Sequence, residues 1–215
     1  MAAQPKPSAR PWVPETHKLS VLRAAAPECR GCDLYKHATQ VVFGEGPPDS
    51  KVVMVGEQPG DEEDKKGHPF VGPAGRLLAK AMHEAELDRE KIYVTNAVKH
   101  FKFVERGKRR IHAKPGTVEI AACRPWLEAE LDAIRPELVV CLGATAAQSL
   151  MGRDFRITAE RGKFHPHPWA KELVATVHPS AILRAIRENY DEEYDLFVRD
   201  LRIIAARVKE LEKTA

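Results

Sequence analysis

The chemistry available to this chain sits in four cysteines, a few histidines and one dense run of cations. Cys29-Arg30-Gly31-Cys32 is a close thiol pair with a glycine that lets the backbone wrap round an ion. The spacing suits zinc, an iron–sulfur cluster or a redox dithiol, and it also arises by chance. Cys123 opens Cys123-Arg124-Pro125-Trp126 in a helical pattern and offers a third thiolate. Cys141 lies within an apolar run, where a free cysteine behaves as a small hydrophobe. Residue types alone therefore give three ligands and leave a fourth place open.

Gly56-Glu57-Gln58-Pro59-Gly60 follows an apolar run and carries a carboxylate and an amide. A strand-to-helix turn with a solvated Glu is the plainer reading. Asp61-Glu62-Glu63-Asp64-Lys65-Lys66 reads as a charged, solvated loop. Phe70 stands in Pro69-Phe70-Val71-Gly72-Pro73-Ala74-Gly75, a stretch with too many turn residues for a regular element. Its ring can stack on a flat ligand or plug the end of the core. Lys99–Lys114 holds seven Lys or Arg, one Glu, two His and two Phe. A basic loop with interleaved aromatics is the best nucleic-acid signal in the chain, and a solvated surface loop accounts poorly for such clustering. His178 comes directly after the last apolar run, as a hydrogen-bonded structural residue or a proton donor.

These groups need a scaffold. Near-continuous apolar runs at Val52–Val55, Ile92–Val94, Leu138–Leu142 and Leu173–Val177 predict strands covered on both faces, as in a parallel sheet. Helical patterns cover Gly72–Leu87, Thr117–Ile134 and Ala144–Met151, and Ala181–Lys213 holds one or two more helices broken near Asn189-Tyr190. Strands alternating with helices give an α/β fold, a three-layer α/β/α sandwich. Ligands of such sheets bind beyond the carboxyl ends of the strands, which is where Glu57, Asn96, Gly143-Ala144-Thr145 and His178 fall.

A chain of 215 residues, 43% hydrophobic and 30% charged, is ordinary for one globular domain. Residues 1–18, with four prolines before Thr16, are expected to be a flexible N-terminal arm, and 19–215 a single domain. A net charge of +3 and a pI of about 8.6 are too mild to announce nucleic-acid binding, so charge distribution carries that argument. No apolar run approaches the roughly 20 residues of a membrane helix, and the first residues lack the apolar core of a secretory signal. A cytoplasmic location is expected.

Taken together, the motifs resemble the iron–sulfur (type four) uracil-DNA glycosylases, from about Pro27 to Arg207. The resemblance rests on GE-x-P-G at Gly56–Gly60, PFVGPAG at Pro69–Gly75, TNAVK at Thr95–Lys99 and HPSAILR at 178 to 184. It implies a central four-stranded parallel sheet, a [4Fe–4S] cluster near the DNA-binding face, and a pocket for a flipped-out uracil. Phe70 would stack on uracil and Asn96 would read its Watson–Crick edge, accepting from N3–H and donating to O4. Gln58 would join the uracil contacts. His178 would donate to O2 as the base departs, Ile182 would wedge into the stack, and Arg184 would steady phosphates. Where the family has a cysteine after Asn-x-x-Lys, this chain has His100. The implied cluster ligands are then Cys29, Cys32, His100 and Cys123.

Gly107-Lys108-Arg109-Arg110-Ile111-His112 is an insertion relative to that pattern and resembles the KRRIH loop of the UdgX subgroup, which attaches covalently to abasic DNA. This implies a single-turnover DNA-repair enzyme in which His112 attacks C1′ with help from Glu57, while Lys108, Arg109 and Arg110 hold the strand. The expected partner is uracil-containing DNA, single-stranded and also double-stranded, with the protein a monomer and nucleoid-associated when on DNA. The competing readings are a glycosylase that turns over, a zinc-bearing nucleic-acid-binding module without catalysis, and a Mg²⁺-dependent nucleotide hydrolase built on Asp61–Asp64.

Overall fold

The computed structural model describes residues 6–185 and 187–213. Its centre is a five-stranded sheet in the order β2-β1-β5-β7-β6, with β1 Val52–Gly56, β2 Ile92–Asn96, β5 Leu138–Leu142, β6 Phe164–His167 and β7 Ala170–Thr176. The four strands expected from their apolar runs pair in parallel. The fifth, β6, is an antiparallel edge strand. Its Phe164-His165-Pro166-His167 has no apolar run to betray it, and Pro166 is tolerable because an edge strand leaves N–H groups unpaired.

Side chains alternate across the sheet, so each strand feeds two cores. Met54, Val94, Val140 and Val174 face α3 (Pro73–Glu84), α7 (Pro179–Leu183) and α8 (Arg187–Lys213). Val53, Val55, Val139 and Cys141 face α4 (Thr117–Ile134) and α5 (Ala144–Met151). The expected three layers are therefore present. The first of the last two helices ends at Leu183 and the next begins at Arg187, so neither breaks near Asn189-Tyr190.

A third apolar cluster lies behind α4. Cys123 and Trp126 of that helix meet Leu22 of α1 (Leu19–Ala25), together with Cys29, Leu34, Phe43 and Val98. The N-terminal segment closes it. Ala9 is buried, donates its N–H to Ala122 O at 2.7 Å, and lies against Gly31, where a Cβ would come within 2.6 Å of the Ala9 backbone. Trp12 and Val13 pack on the same cluster. The segment from Ala9 to Val13, expected within a flexible arm, is thus seated on the domain by its few apolar residues.

Two elements escaped the apolar patterns. The acidic stretch is a helix, α2 (Asp61–Lys66), whose Glu63 and Asp64 are buried rather than solvated. The basic run contains a hairpin, β3 (Phe103–Arg106) with β4 (Arg109–His112), turned at Gly107, where φ is +59°. Among the described residues no helix is long and apolar enough to cross a membrane.

Candidate active site

Open α/β sheets bind ligands where chain direction reverses, outside the carboxyl ends of neighbouring strands. In this sheet the chain runs from β1 to β2 on one side and from β5 to β7 on the other, so the crevice lies between β1 and β5. Glu57 follows β1 and Thr145 opens α5 after β5. The Thr145 hydroxyl donates to Glu57 Oε2 and bridges the crevice.

Beside that carboxylate, a cavity of about 450 Å³ is lined by Gln58, Phe70, Asn96, His112, His178 and Arg184. Its volume falls in the range of small-molecule sites. Gly56 makes the floor possible. A Cβ there would come within 2.3 Å of Asn96 Oδ1 and 2.8 Å of the Phe70 ring, so the two side chains close over a bare backbone. Phe70 itself adopts φ +59°, a left-handed conformation costly for an aromatic residue. Glu63 holds the loop in that state by accepting from Gly60 N at 3.1 Å and Gly72 N at 2.9 Å, joining the two rim loops.

His178 caps α7. Its Nδ1 accepts from Ser180 N at 3.1 Å, so the ring proton belongs on Nε2. Burial, then Arg184 and His112, lowers its pKa to about 4. The ring is therefore neutral at pH 7 and offers an N–H donor. Gly143 makes room for it, since a Cβ there would meet His178 Cβ at 2.9 Å.

His112 stands at the base of the hairpin, and Gln58 decides its tautomer. The Gln58 amide oxygen accepts from Lys102 N at 3.1 Å, while its nitrogen faces Lys102 O at 3.2 Å and Ala113 O at 3.0 Å. These backbone partners fix which end of the amide is NH₂, and that end also faces His112 Nε2 at 2.9 Å. Two amide hydrogens are shared among three acceptors, so Nε2 must accept and carries a lone pair. The His112 side chain is half exposed, and its partial burial lowers the pKa, outweighing the neighbouring Glu57 carboxylate, which raises it. Gln58 was expected at the uracil. It does line the cavity, and its amide is hydrogen-bonded to the hairpin and to His112.

The hairpin's inward face explains a second departure. Arg110, expected on phosphates, turns toward α2: its Nε donates to Asp61 Oδ1 at 2.6 Å and a terminal nitrogen to Asp64 Oδ2 at 2.6 Å. The guanidinium also lies over Phe103, 4.9 Å from the ring centroid. It is an anchor for the loop that carries His112. Lys108 and Arg109 are exposed at the tip of the hairpin.

Ile182, expected as a wedge, is 1% exposed and belongs to the core under α7. Its neighbour Leu183 is 43% exposed and borders the cavity. One step of helix rotation separates the two, which a motif match does not reveal. Sequence reasoning also missed Thr145, Ser180 and the two aspartates. Thr145 and Ser180 stood in rim segments already noted, whereas Asp61 and Asp64 were hidden by reading α2 as a loop.

Cys29, Cys32 and Cys123 come together in the third apolar cluster. Burial raises the thiol pKa of Cys32, and pushes that of Cys123 up to about 12 against a lowering by Lys99. Such thiols ionise only beside a cation. Lys99 N donates to Cys123 Sγ at 3.2 Å, and the indole N–H of Trp126, wholly buried in the same cluster, has no acceptor. Soft ligands among N–H donors in an apolar shell fit a sulfur-bridged iron centre. Among the described residues, no group of three or more His, Cys, Asp or Glu side chains converges on a single-ion site. His100 is buried, and burial lowers its pKa to about 4, with the Asp64 carboxylate opposing the shift and Arg30 adding to it.

Residues 43–202 match the profile of the Uracil DNA glycosylase superfamily. The type-4 uracil-DNA glycosylase of Thermotoga maritima is 38% identical over 169 residues, spanning 77% of this chain and 83% of that protein. The type-4 uracil-DNA glycosylase of Archaeoglobus fulgidus is 38% identical over 175 residues, spanning 77% and 84%. A solved structure of wild-type SMUG2 from Pedobacter heparinus aligns with a TM-score of 0.49 at 14% identity, over 74% of this chain and 77% of that one, too distant to bear on the site.

Proposed function

Because the chain belongs to the uracil DNA glycosylase superfamily, we propose that it excises uracil from DNA and is then captured on the abasic site through His112, as in the UdgX subgroup. The observation that carries this is the unprotonated Nε2 of His112, held at the cavity by Gln58, with Glu57 Oε1 3.5 Å away.

Uracil enters between Phe70 and Asn96, whose amide accepts from N3–H and donates to O4. As the C1′–N1 bond breaks, its electron pair leaves with the base. The Nε2–H of His178 donates to O2 and stabilises the developing uracil anion, and Glu57 stabilises the sugar cation. Preorganised donors of this kind are each worth about 10²–10³ in rate. His112 Nε2 then gives up its Gln58 contact and donates its lone pair to C1′. A nucleophile tethered in this way competes with water through a large effective molarity. The product imidazolium sits beside Glu57 and can lose its Nδ1 proton to solvent, while the uracil anion is protonated by solvent. The new C1′–N bond has no good exit, so one turnover is the outcome.

Lys108 and Arg109 hold the strand by its phosphates, with Arg184 beside the cavity. Cys29, Cys32, Cys123 and His100 would hold a [4Fe–4S] cluster, which supplies a rigid cross-link between the N-terminal segment, the loop after β2 and α4.

The test is incubation with uracil-containing single-stranded DNA followed by a denaturing gel and peptide mapping. A shifted band whose adduct maps to His112 supports the proposal. In His112→Gly the adduct should vanish while uracil release continues, because water reaches the same cation. An adduct that persists in His112→Gly overturns it. Multiple turnover by the parent protein without an adduct leaves an ordinary glycosylase.

A further inference from the structure

We infer that Lys99, locked by Glu130, is the positioning residue that fixes Asn96 for reading the base. The inference rests on the pocket reading above. Lys99 is 1% exposed and Glu130 is fully buried. Burying such a pair is costly, and apolar side chains of similar volume often serve stability as well. The pair therefore calls for a reason other than stability, and its hydrogen bonds indicate one.

The ammonium of Lys99 has three hydrogens, and each has a partner. It donates to Glu130 Oε2, to Thr95 Oγ1 at 2.6 Å and to the backbone oxygen of Asn96 at 2.8 Å. Glu130 is equally committed, accepting from Tyr93 Oη at 2.9 Å, Gly44 N at 3.0 Å and Thr95 Oγ1 at 3.0 Å. Every side chain in this set except Glu130 lies on β2 or in the turn that follows it. The carboxylate reaches in from α4 and gathers them.

Lys99 itself cannot drift. Its N–H donates to Cys123 Sγ at 3.2 Å and its carbonyl accepts from Val42 N at 2.8 Å. Gripping the Asn96 carbonyl fixes the peptide plane that leaves Asn96, and with it the direction of Cα–Cβ. The side chain has little tolerance, because its Oδ1 already occupies the space where Gly56 would carry a Cβ. A backbone rotation that shifted the amide by about 1 Å would carry it off the uracil edge or into Phe70. Misplacement of a positioning group by about 1 Å costs roughly 10²-fold in rate.

A double-mutant cycle separates this role from a merely structural one. Lys99→Met with Glu130→Gln removes both charges together, so neither is left buried alone. We expect single-turnover uracil release to slow about 10- to 100-fold, with the unfolding transition still cooperative. In an Asn96→Ala background the same pair of changes should add little further loss, because the residue it positions is gone. An unchanged rate when Asn96 is present, or equal losses in both backgrounds, overturns the inference. If that pair of replacements prevents folding, Lys99→Gln with Glu130→Gln carries the same cycle, since it also removes both charges together while keeping polar groups for the buried partners. Should Asn96→Ala leave uracil release unchanged, the pocket reading fails first and this inference with it. If Asn96→Ala is slow and the Lys99–Glu130 variant is not, only this inference fails.

Discussion

Nε2 of His112 lies 3.5 Å from Oε1 of Glu57, too far for a hydrogen bond yet close enough for a strong electrostatic contact. Gln58 occupies the hydrogen-bonding direction instead, at 2.9 Å. The carboxylate therefore interacts weakly with the neutral ring and would interact strongly with the imidazolium that the proposed attack forms. Stabilisation that grows toward the transition state is the kind that accelerates a reaction.

The pH dependence of capture follows from this arrangement. Burial lowers the His112 pKa from the ordinary 6.5, so the nucleophilic neutral form persists to lower pH than in a free imidazole. The adduct-forming rate should be level from pH 8 to about 6.5 and fall below that, with its midpoint under 6.5. Uracil release by His112→Gly, measured at the same pH values, supplies the control for the other groups. A midpoint at or above 6.5 would contradict the burial argument.

Arg109 and Arg110 of the hairpin should fail differently. Arg109→Ala removes an exposed cation, so DNA affinity should weaken and the slope of log affinity against log salt should fall by about 1. Arg110→Ala instead releases the hairpin from Asp61 and Asp64. Adduct formation should drop with the salt slope unchanged, while uracil release stays closer to normal. A lowered salt slope in Arg110→Ala would return that residue to the phosphates.

What the sequence made legible follows burial. The strands β1, β2, β5 and β7 are covered on both faces, so their apolar runs are nearly continuous, and α4 and α5 begin and end where their patterns do. The β3–β4 hairpin was not legible as structure because its residues are mostly exposed and cationic, leaving no alternating apolar face. The acidic helix misled in the opposite way. Glu63 and Asp64 look solvated by type but are buried, since backbone N–H groups and Arg110 satisfy them. Asn96 and His178, read at strand ends, and Phe70, read on a turn-rich loop, do line one cavity, whereas Glu63, which holds the Phe70 loop, is an ordinary polar residue in a stretch read as solvated.

Ile182 and Leu183 give a test of that limit. Ile182→Ala should destabilise the fold by about 2–5 kcal/mol, the usual cost of emptying a buried aliphatic site, seen as a lower unfolding midpoint. Leu183→Ala should leave stability within about 0.5 kcal/mol. Its effect should fall on duplex DNA, where a base must be unstacked, more than on single strands. Equal uracil release from the two substrates in Leu183→Ala would remove the wedge from Leu183.

The cysteines allow a last separation of roles, one that does not depend on catalysis. Cys141 is fully buried in the core between the sheet and α4–α5, and among the described residues burial alone raises its pKa. Cys123 occupies the other side of α4, with Cys29 and Cys32 as electrostatic neighbours and the Lys99 N–H on its sulfur. Cys123→Ser should therefore lose bound iron and the broad visible absorbance of an iron–sulfur protein, whereas Cys141→Ser should keep both. His100→Ala should also lower iron content, because an apolar methyl cannot replace an imidazole ligand, while His100→Cys should keep the iron by restoring the thiolate that the family carries there. Iron lost from Cys141→Ser and retained in Cys123→Ser would overturn the ligand set. A protein that is colourless and binds zinc instead would replace the cluster altogether, since zinc and iron–sulfur centres draw on the same thiolates but only the latter absorbs in the visible.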